Sequence, residues 1–438
     1  MSSYINATKS SNIVTPPNAS FESTLQALRQ NPVPFITNLA QTYGDIVRLP
    51  FGSRDIYLLN RPDWIRQVYL GGSEIFAKRK DAAKEKSYIN DIAPMIPLLQ
   101  QDLIPTYAPA IVEAALKTDA RWQNMYQQHQ SPIVDIYREM MRLTVPIVSK
   151  TLFQEELETE SAAIVDALLT MDVGYGFDTV AAILGDTVPP LEVSITPEMQ
   201  AARSELLRII HNLIVAQHTS LHSQSLLSAL LQLQLSDEQV ADIALKTFCA
   251  MHEVTVTTLS WTWYLLSQTP EVEAQLHTEL ANILAGHTPT FADVEKLTYT
   301  QMILNETRRL YPTVWLVGRF VRQDVSFGDN LIPSDSIVLV SQRVTHHDAR
   351  YFPDPERFHP ERWTSEVVAT RPKFSFFPFS AGPRQCLGRD FAWIEDTLIL
   401  ATLAQHWQGK LLPNQVLEPH PQKSFAPRYG IKMTLHHR

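Results

Sequence analysis

The stretch "PFSAGPRQCLGRDF", Pro378 to Phe391, decides how this chain is read. It holds one of only two cysteines in 438 residues and sets it among two glycines and two arginines. Phe379, Gly382, Arg384, Cys386 and Gly388 fit F-x-x-G-x-R-x-C-x-G. Five fixed positions match by chance in a chain of this length with odds on the order of 10⁻⁴ or less. The frame has chemical sense. Gly382 and Gly388 are expected to permit unusual backbone angles and the close approach of a flat cofactor to the main chain. Cys386 stands just before an apolar helix pattern, "RDFAWIEDTLILATLAQHW". The free N–H groups and positive dipole end of such a helix stabilise a thiolate. Arg384 offers a fixed cation for a cofactor carboxylate. Cys249 has no such frame and reads as a small buried hydrophobe.

Composition bounds the rest. Only 14 residues are glycine, while helix formers abound, which favours a mainly helical protein. The formal net charge is −9, with acids and bases interspersed, so a nucleic-acid-binding surface is not indicated. Two cysteines exclude a disulfide framework and fit a reducing compartment. The N-terminus, "MSSYINATKSSNIVTPPNAS", lacks the apolar core of a signal peptide or anchor, and no apolar run reaches the length of a membrane span. A cytoplasmic protein is therefore expected. The first twenty residues are Ser/Asn/Pro-rich and expected to be disordered. Without internal repeats or low-complexity linkers, residues 21–438 read as a single domain.

Local signals place the main elements. "GDIVRLPFGSRDIYLLN" (Gly44 to Asn60) reads as two strands around a turn at Phe51-Gly52-Ser53. "VDIYREMMRLTVPIVSKTLF" has helical spacing, with a kink expected at Pro146. The clearest helix starts at "SDEQ", where Ser236 and Gln239 make a capping box. Neither Gly nor Pro occurs from Asp237 to Thr269, and Pro270 ends the run. Such a helix spans roughly 50 Å and, being apolar on most sides, should be buried centrally. A further helix, "LTYTQMILNETRRLYP", precedes strand patterns in "VGRFVRQDVSFGDNLIPSDSIVLVS".

At these residues the chain resembles the cytochrome P450 superfamily of haem-thiolate monooxygenases, from about residue 40 to the C-terminus. The resemblance implies a single-domain, triangular α-rich prism with small β-sheets. It implies haem b (iron protoporphyrin IX) with Cys386 as the axial ligand of iron, Phe379 packed beside that ligand, and Arg384 and Arg319 as propionate partners. Glu306 and Arg309 in "NETRRL", with Arg362 in "PERW", match the family's buried Glu-Arg-Arg cluster, a structural role. "AMHEV" matches the family's oxygen-activating helix motif at Ala250 and Glu253, which makes Glu253 a candidate proton relay.

Four features depart from that pattern. Met251 stands where the family has glycine. Val254 replaces the threonine hydroxyl associated with proton delivery, and valine can neither donate a proton nor order a water. Thr255 is about 100° away around the helix and is not an obvious substitute. The family's W-x-x-x-R helix also has no counterpart: "MIPLLQQDLIPTYAPAIVEAA" runs straight into the next helix, and the one W-x-x-x-R joins Trp315 to Arg319. His346-His347 replaces a His-Arg pair and is not read as a metal site. The expected activity is insertion of one oxygen atom from dioxygen into an apolar small molecule. Electrons would come from a separate ferredoxin and its reductase, the protein acting as a monomer without a membrane anchor. The departures favour a rival, a haem-thiolate protein that uses peroxide, rearranges an oxidised substrate or only binds one. A non-haem scaffold of helical hairpins remains if Cys386 holds no iron.

Overall fold

A computed structural model describes residues 13–78, 93–99, 102–171, 196–219, 225–233, 235–421 and 424–438. Five helices position the site: α1 (Ile104–His129), α2 (Ile136–Phe153), α3 (Asp237–Gln268), α4 (Thr298–Leu310) and α5 (Arg389–Ala404). The architecture is mainly helical with small sheets, as the composition implies.

Helix α3 starts and stops where its sequence dictates. The Ser236 hydroxyl accepts from the Gln239 N–H at 3.3 Å, and Gln239 Oε1 accepts from the Ser236 N–H at 3.0 Å. Two orphan donors are thereby satisfied reciprocally. Pro270 then opens the next helix as its first residue, a position that needs no N–H. Nineteen of its 32 residues are buried, so α3 runs through the core, packed against α2, α4 and α5. Helix α2 continues through Pro146 without a break. Helix α5 lies across α1 and is almost wholly buried from Glu395 to Ala404.

A five-stranded sheet forms a second layer. Its strands are β1 (Ile46–Phe51), β2 (Arg54–Leu59), β3 (Phe76–Ala77), β4 (Leu316–Val321) and β5 (Ile337–Ser341), in the order β1-β2-β5-β4-β3. β1 and β2 form an antiparallel hairpin with Ile46 opposite Leu59, and Gly52 supplies the positive φ of +65° at the turn. β5 is parallel to β2, antiparallel to β4, and buried at every residue, as a central strand should be. A three-stranded sheet joins Ile133–Asp135, Lys432–His437 and Trp407–Leu411. Beneath it Trp122, Trp263 and Trp407 meet edge-on at 5.8–5.9 Å. Trp122 donates its indole N–H to Glu139 at 2.6 Å. Large aromatic area is thus buried without orphaning a donor on Trp122.

Of the N-terminal segment expected to be disordered, residues 1–12 lie outside the described residues. Val14 already forms a parallel bridge with Val47, its carbonyl accepting from the Arg48 N–H at 2.8 Å. Ser20 caps the first helix, Phe21–Gln30. Among the described residues, strand pairing therefore reaches back to Val14, ahead of residue 21. Composition misses this because strand pairing uses backbone groups, which a Ser/Pro-rich segment also has.

Candidate functional site

The cysteine loop is built around one glycine. Gly382 has φ +69°, and a Cβ there would lie 2.4 Å from the Tyr69 carbonyl oxygen. Both the left-handed backbone and the contact exclude a side chain. Gly388 differs from the sequence expectation. Its φ of −82° is open to any residue, and a Cβ would meet Cys386 Sγ at an ordinary 4.0 Å. Neither backbone nor packing among the described residues therefore requires glycine at 388.

Cys386 sits three residues before α5, its N–H donating to the Phe379 carbonyl at 2.9 Å. The Gly388 N–H and the Arg389 cation lower the thiol pKa, as expected of a helix start, but burial outweighs them and the net direction is upward. Cys386 is nonetheless exposed, while Phe391 and Ala392 just beyond it are buried. Cys249 is half-buried, and burial pushes its thiol up to about 12. Of the two sulfurs, that of Cys386 is the more accessible to a soft metal.

Two of the expected cations converge beside this loop. Arg384 Nη1 donates to the Phe76 carbonyl at 2.8 Å. Arg319 on β4 is 8% exposed, donates to the Gly318 carbonyl at 2.8 Å, and lies 5.9 Å over the Tyr69 ring. Tyr69 and Phe76 also flank Gly382 and β3, so both guanidiniums belong to one wall of the loop. Burial raises the Tyr69 phenol to about 12, with Arg319 and Ser380 acting in the opposite sense. A neutral phenol thus stands beside Arg319, a group that sequence reasoning did not single out.

The central helix is partly open near mid-length as well as toward its ends. Ala250 is exposed and Met251 and Val254 are half-buried, although residues 255–263 are buried throughout. Glu253 is 8% exposed and its Oε1 has no hydrogen-bond partner among the described residues. Burial raises its pKa to about 7, offset in part by a hydrogen bond with Ser424. His252 points elsewhere. Its Nδ1 meets Thr144 Oγ1 at 2.6 Å and its ring stacks on Phe248, while burial lowers it to about 3, so it is neutral. Thr255 Oγ1 donates to Glu395 Oε2 at 2.6 Å. The neighbouring hydroxyl is thus committed to α5.

Glu306, Arg309 and Arg362 are brought together. Glu306 is fully buried and accepts from Arg309 Nη2 (2.8 Å), the His359 N–H (3.1 Å) and Arg362 Nε (3.2 Å) on Oε1. Its Oε2 accepts from Arg309 Nε (2.9 Å) and Trp363 Nε1 (3.0 Å). All the lone-pair capacity of a carboxylate is used. His346 accepts from the Phe377 N–H at 3.1 Å and so braces the approach to the cysteine loop. Among the described residues no group of three or more metal-ligating side chains forms, and the His346-His347 pair makes none.

Sequence reasoning missed two buried pairs. One is Thr255 with Glu395; the other is Arg308 with Asp396, at 2.5 Å. The one available signal was an Asp within the apolar run of α5.

The region expected to lack the W-x-x-x-R helix lies partly outside the described residues. Within them, a short 3₁₀ turn at Pro97–Leu99 is followed by α1 from Ile104. No helix among the described residues is long and apolar enough to cross a membrane.

A family model described as "Cytochrome P450" matches residues 15–434. The chain is 29% identical to "Cyclooctatin synthase" of Streptomyces melanosporofaciens, over 91% of this chain and 90% of that protein. It is 28% identical to "Cyclooctat-9-en-7-ol 5-monooxygenase" of the same organism, covering 89% and 88% of the two chains. "Pentalenene oxygenase" of Streptomyces avermitilis is 25% identical over 90% of each.

Proposed function

The chain belongs to the cytochrome P450 family and is a haem-thiolate monooxygenase, and we propose that it inserts one oxygen atom into a cyclic, apolar small molecule. The observation that carries this reading is the pairing of an exposed thiol with a partly open turn at mid-length of the central helix. Cys386 precedes α5, the open residues Ala250, Met251 and Val254 lie on α3, and the Thr255–Glu395 hydrogen bond joins the two helices. Relatives named for cyclooctat-9-en-7-ol and for pentalenene support an unsaturated ring hydrocarbon or its alcohol as the substrate class.

The donor set fits haem b. Cys386 Sγ would be the axial ligand, with Phe379 packed beside it, and Gly382 and Gly388 would keep the loop close to the macrocycle. Arg384 and Arg319 would hold the two propionates as charge-assisted partners. Bound through a cysteinate, haem supplies reductive activation of dioxygen, with electron density donated from sulfur. The protein's own part is electrostatic and steric. Ala250, with its small side chain, would leave room for the haem, and Met251 and Val254 would present apolar surface to a substrate. Glu253, poised near neutrality at Oε1, holds and releases the protons that the reaction consumes. Glu306, Arg309 and Arg362 act structurally, fixing α4 to the segment that leads into the cysteine loop. Electrons come from separate proteins, a ferredoxin and its reductase, to a monomeric cytoplasmic enzyme.

A second reading has its own support. Val254 has no hydroxyl and that of Thr255 is held by Glu395, so on this stretch of α3 Glu253 is the remaining candidate for proton delivery. Turnover with added peroxide in place of a reductase, or rearrangement of an oxidised substrate, would suit such a site. The experiment is a spectrum of the reduced protein under carbon monoxide, followed by turnover of a cyclic alkene with surrogate ferredoxin partners. Product formed with reductant supports the monooxygenase. Product formed only with peroxide supports the second reading.

A further inference from the structure

Arg308 and Asp396 form an ion pair that none of the motifs above requires. Arg308 follows Glu306 by two residues but leaves the Glu306 cluster and points toward α5. It is 3% exposed and Asp396 is fully buried, with Nη2 and Oδ2 2.5 Å apart. The guanidinium lies between two rings, its Cζ 5.2 Å from the centroid of Phe379 and 5.1 Å from that of Trp393. Phe379 in turn accepts the Cys386 N–H on its carbonyl. Cation, ring and cysteine backbone thus form one continuous stack.

Stability does not account for the pair. Burying two charges costs several kcal/mol per ion, and the cost is recovered only when every polar atom is satisfied. Here Arg308 Nε and Nη1 and Asp396 Oδ1 have no hydrogen-bond partner among the described residues. An apolar pair of the same volume would fill the space at lower cost.

We propose that Arg308, held by Asp396, is a positioning residue that places a fixed positive charge behind Phe379 and thereby raises the reduction potential of the haem on Cys386. The inference rests on the reading of Cys386 as the haem ligand. Reduction adds one electron to the ligated iron, and in a water-poor interior a nearby cation stabilises the more negative member of the couple. The guanidinium makes the ring contact, so its sign dominates there. Arg308 keeps its proton whichever form Asp396 takes. Glu395, next to Asp396, is pushed up to about 8 by burial and is neutral at pH 7, adding no opposing charge. A higher potential favours acceptance of the first electron.

The test is a dye-coupled redox titration of the holoprotein. Arg308→Met/Asp396→Asn removes both charges at similar volume. Its equilibrium constant for reduction is expected to fall about tenfold, ~59 mV for a one-electron couple. Asp396→Asn alone leaves the cation uncompensated and is expected to move the potential upward. Arg308→Lys, which keeps the charge, should stay close to wild type. Opposite signs in the first two variants would not arise from a merely structural role. A double variant whose potential is unchanged or raised, while its reduced carbon monoxide complex keeps the red-shifted Soret band, overturns the inference alone. A wild-type protein without that band overturns the reading of Cys386, and this inference with it.

Discussion

Replacing Glu306 with alanine should remove most of the holoprotein. The carboxylate is fully buried and serves five donors, from Arg309 (twice), Arg362, His359 and Trp363. Breaking a buried ion pair from one side costs about 3–5 kcal/mol, because the remaining charge is left without compensation. Here two guanidiniums lose the same partner, and Arg371 close by adds repulsion to both. The His359 N–H and Trp363 indole, left unsatisfied, add roughly 1–3 kcal/mol each. Surviving contacts reduce the sum. Arg309 keeps the carbonyls of His346, Pro355 and Arg357, and Arg362 keeps that of Asp354. A net loss of about 5 kcal/mol remains, comparable with the whole stability of many domains, which is ~5–15 kcal/mol. Glu306→Gln keeps the shape and one acceptor and should cost about half as much. The assay is soluble haem content together with the urea midpoint; a loss of this size shifts it by about 2 M for a slope near 3 kcal/mol/M. An unshifted midpoint with full haem content in Glu306→Ala would refute the reasoning, since a buried cluster with five donors on one carboxylate cannot lose it silently.

Cys386→Ala should abolish the red-shifted Soret band of the reduced carbon monoxide complex, and Cys249→Ala should leave it intact; the reverse pattern would move the ligand to α3. Glu253 carries a pH signature. Its pKa rises from 4.5 to about 7 on folding, so between those values the folded chain holds a proton that the unfolded chain has released. Stability should fall as pH rises through that window, by about 3 kcal/mol in all, and stay lower above it. Glu253→Gln should flatten this slope, and parallel profiles for the two proteins would show a solvated acid instead. The same variant should lower the yield of product per reductant consumed. Val254→Thr should raise that yield and reduce hydrogen peroxide release without altering the rate of haem transfer to apomyoglobin; an unchanged ratio would mean that protons reach the site by another route.

Legibility in the sequence follows the range of the interactions. The capping box at Ser236, the proline at 270 and the glycine turn at 52 are local devices, completed within four residues, and each lies where its spacing predicts. The cysteine loop is local in the same sense, because Phe379 and Cys386 meet across seven residues through a backbone hydrogen bond. Arg308 and Asp396 are 88 residues apart, and Thr255 and Glu395 are 140 apart. Neither pair leaves a periodic trace; Asp396 stands out within an apolar run, but nothing local names its partner, and Arg308 taken singly looks like the solvated face of a helix. Gly388 shows the opposite failure. It belongs to the same motif, but the conformational and steric reasons that explain Gly382 do not hold for it.

The exchange of hydroxyls on the central helix links these observations. Val254 and Thr255 are successive residues, about 100° apart around the axis. At 254 the side chain is on the partly open turn, and at 255 it is buried against α5. A hydroxyl at 255 cannot swing to the accessible side, because a β-branched side chain in a helix has few χ1 rotamers. Its Oγ1 also satisfies Glu395, whose burial would otherwise leave a second unsatisfied oxygen beside Oε1. Removing the Thr255 hydroxyl should therefore disturb the α3–α5 contact, not proton supply. Thr255→Val should lower thermal stability while leaving the product-to-reductant ratio unchanged, and Val254→Thr should do the converse. If Thr255→Val instead raised peroxide release at constant stability, its hydroxyl would be on the proton path, and Glu395 would extend that path into the cysteine helix.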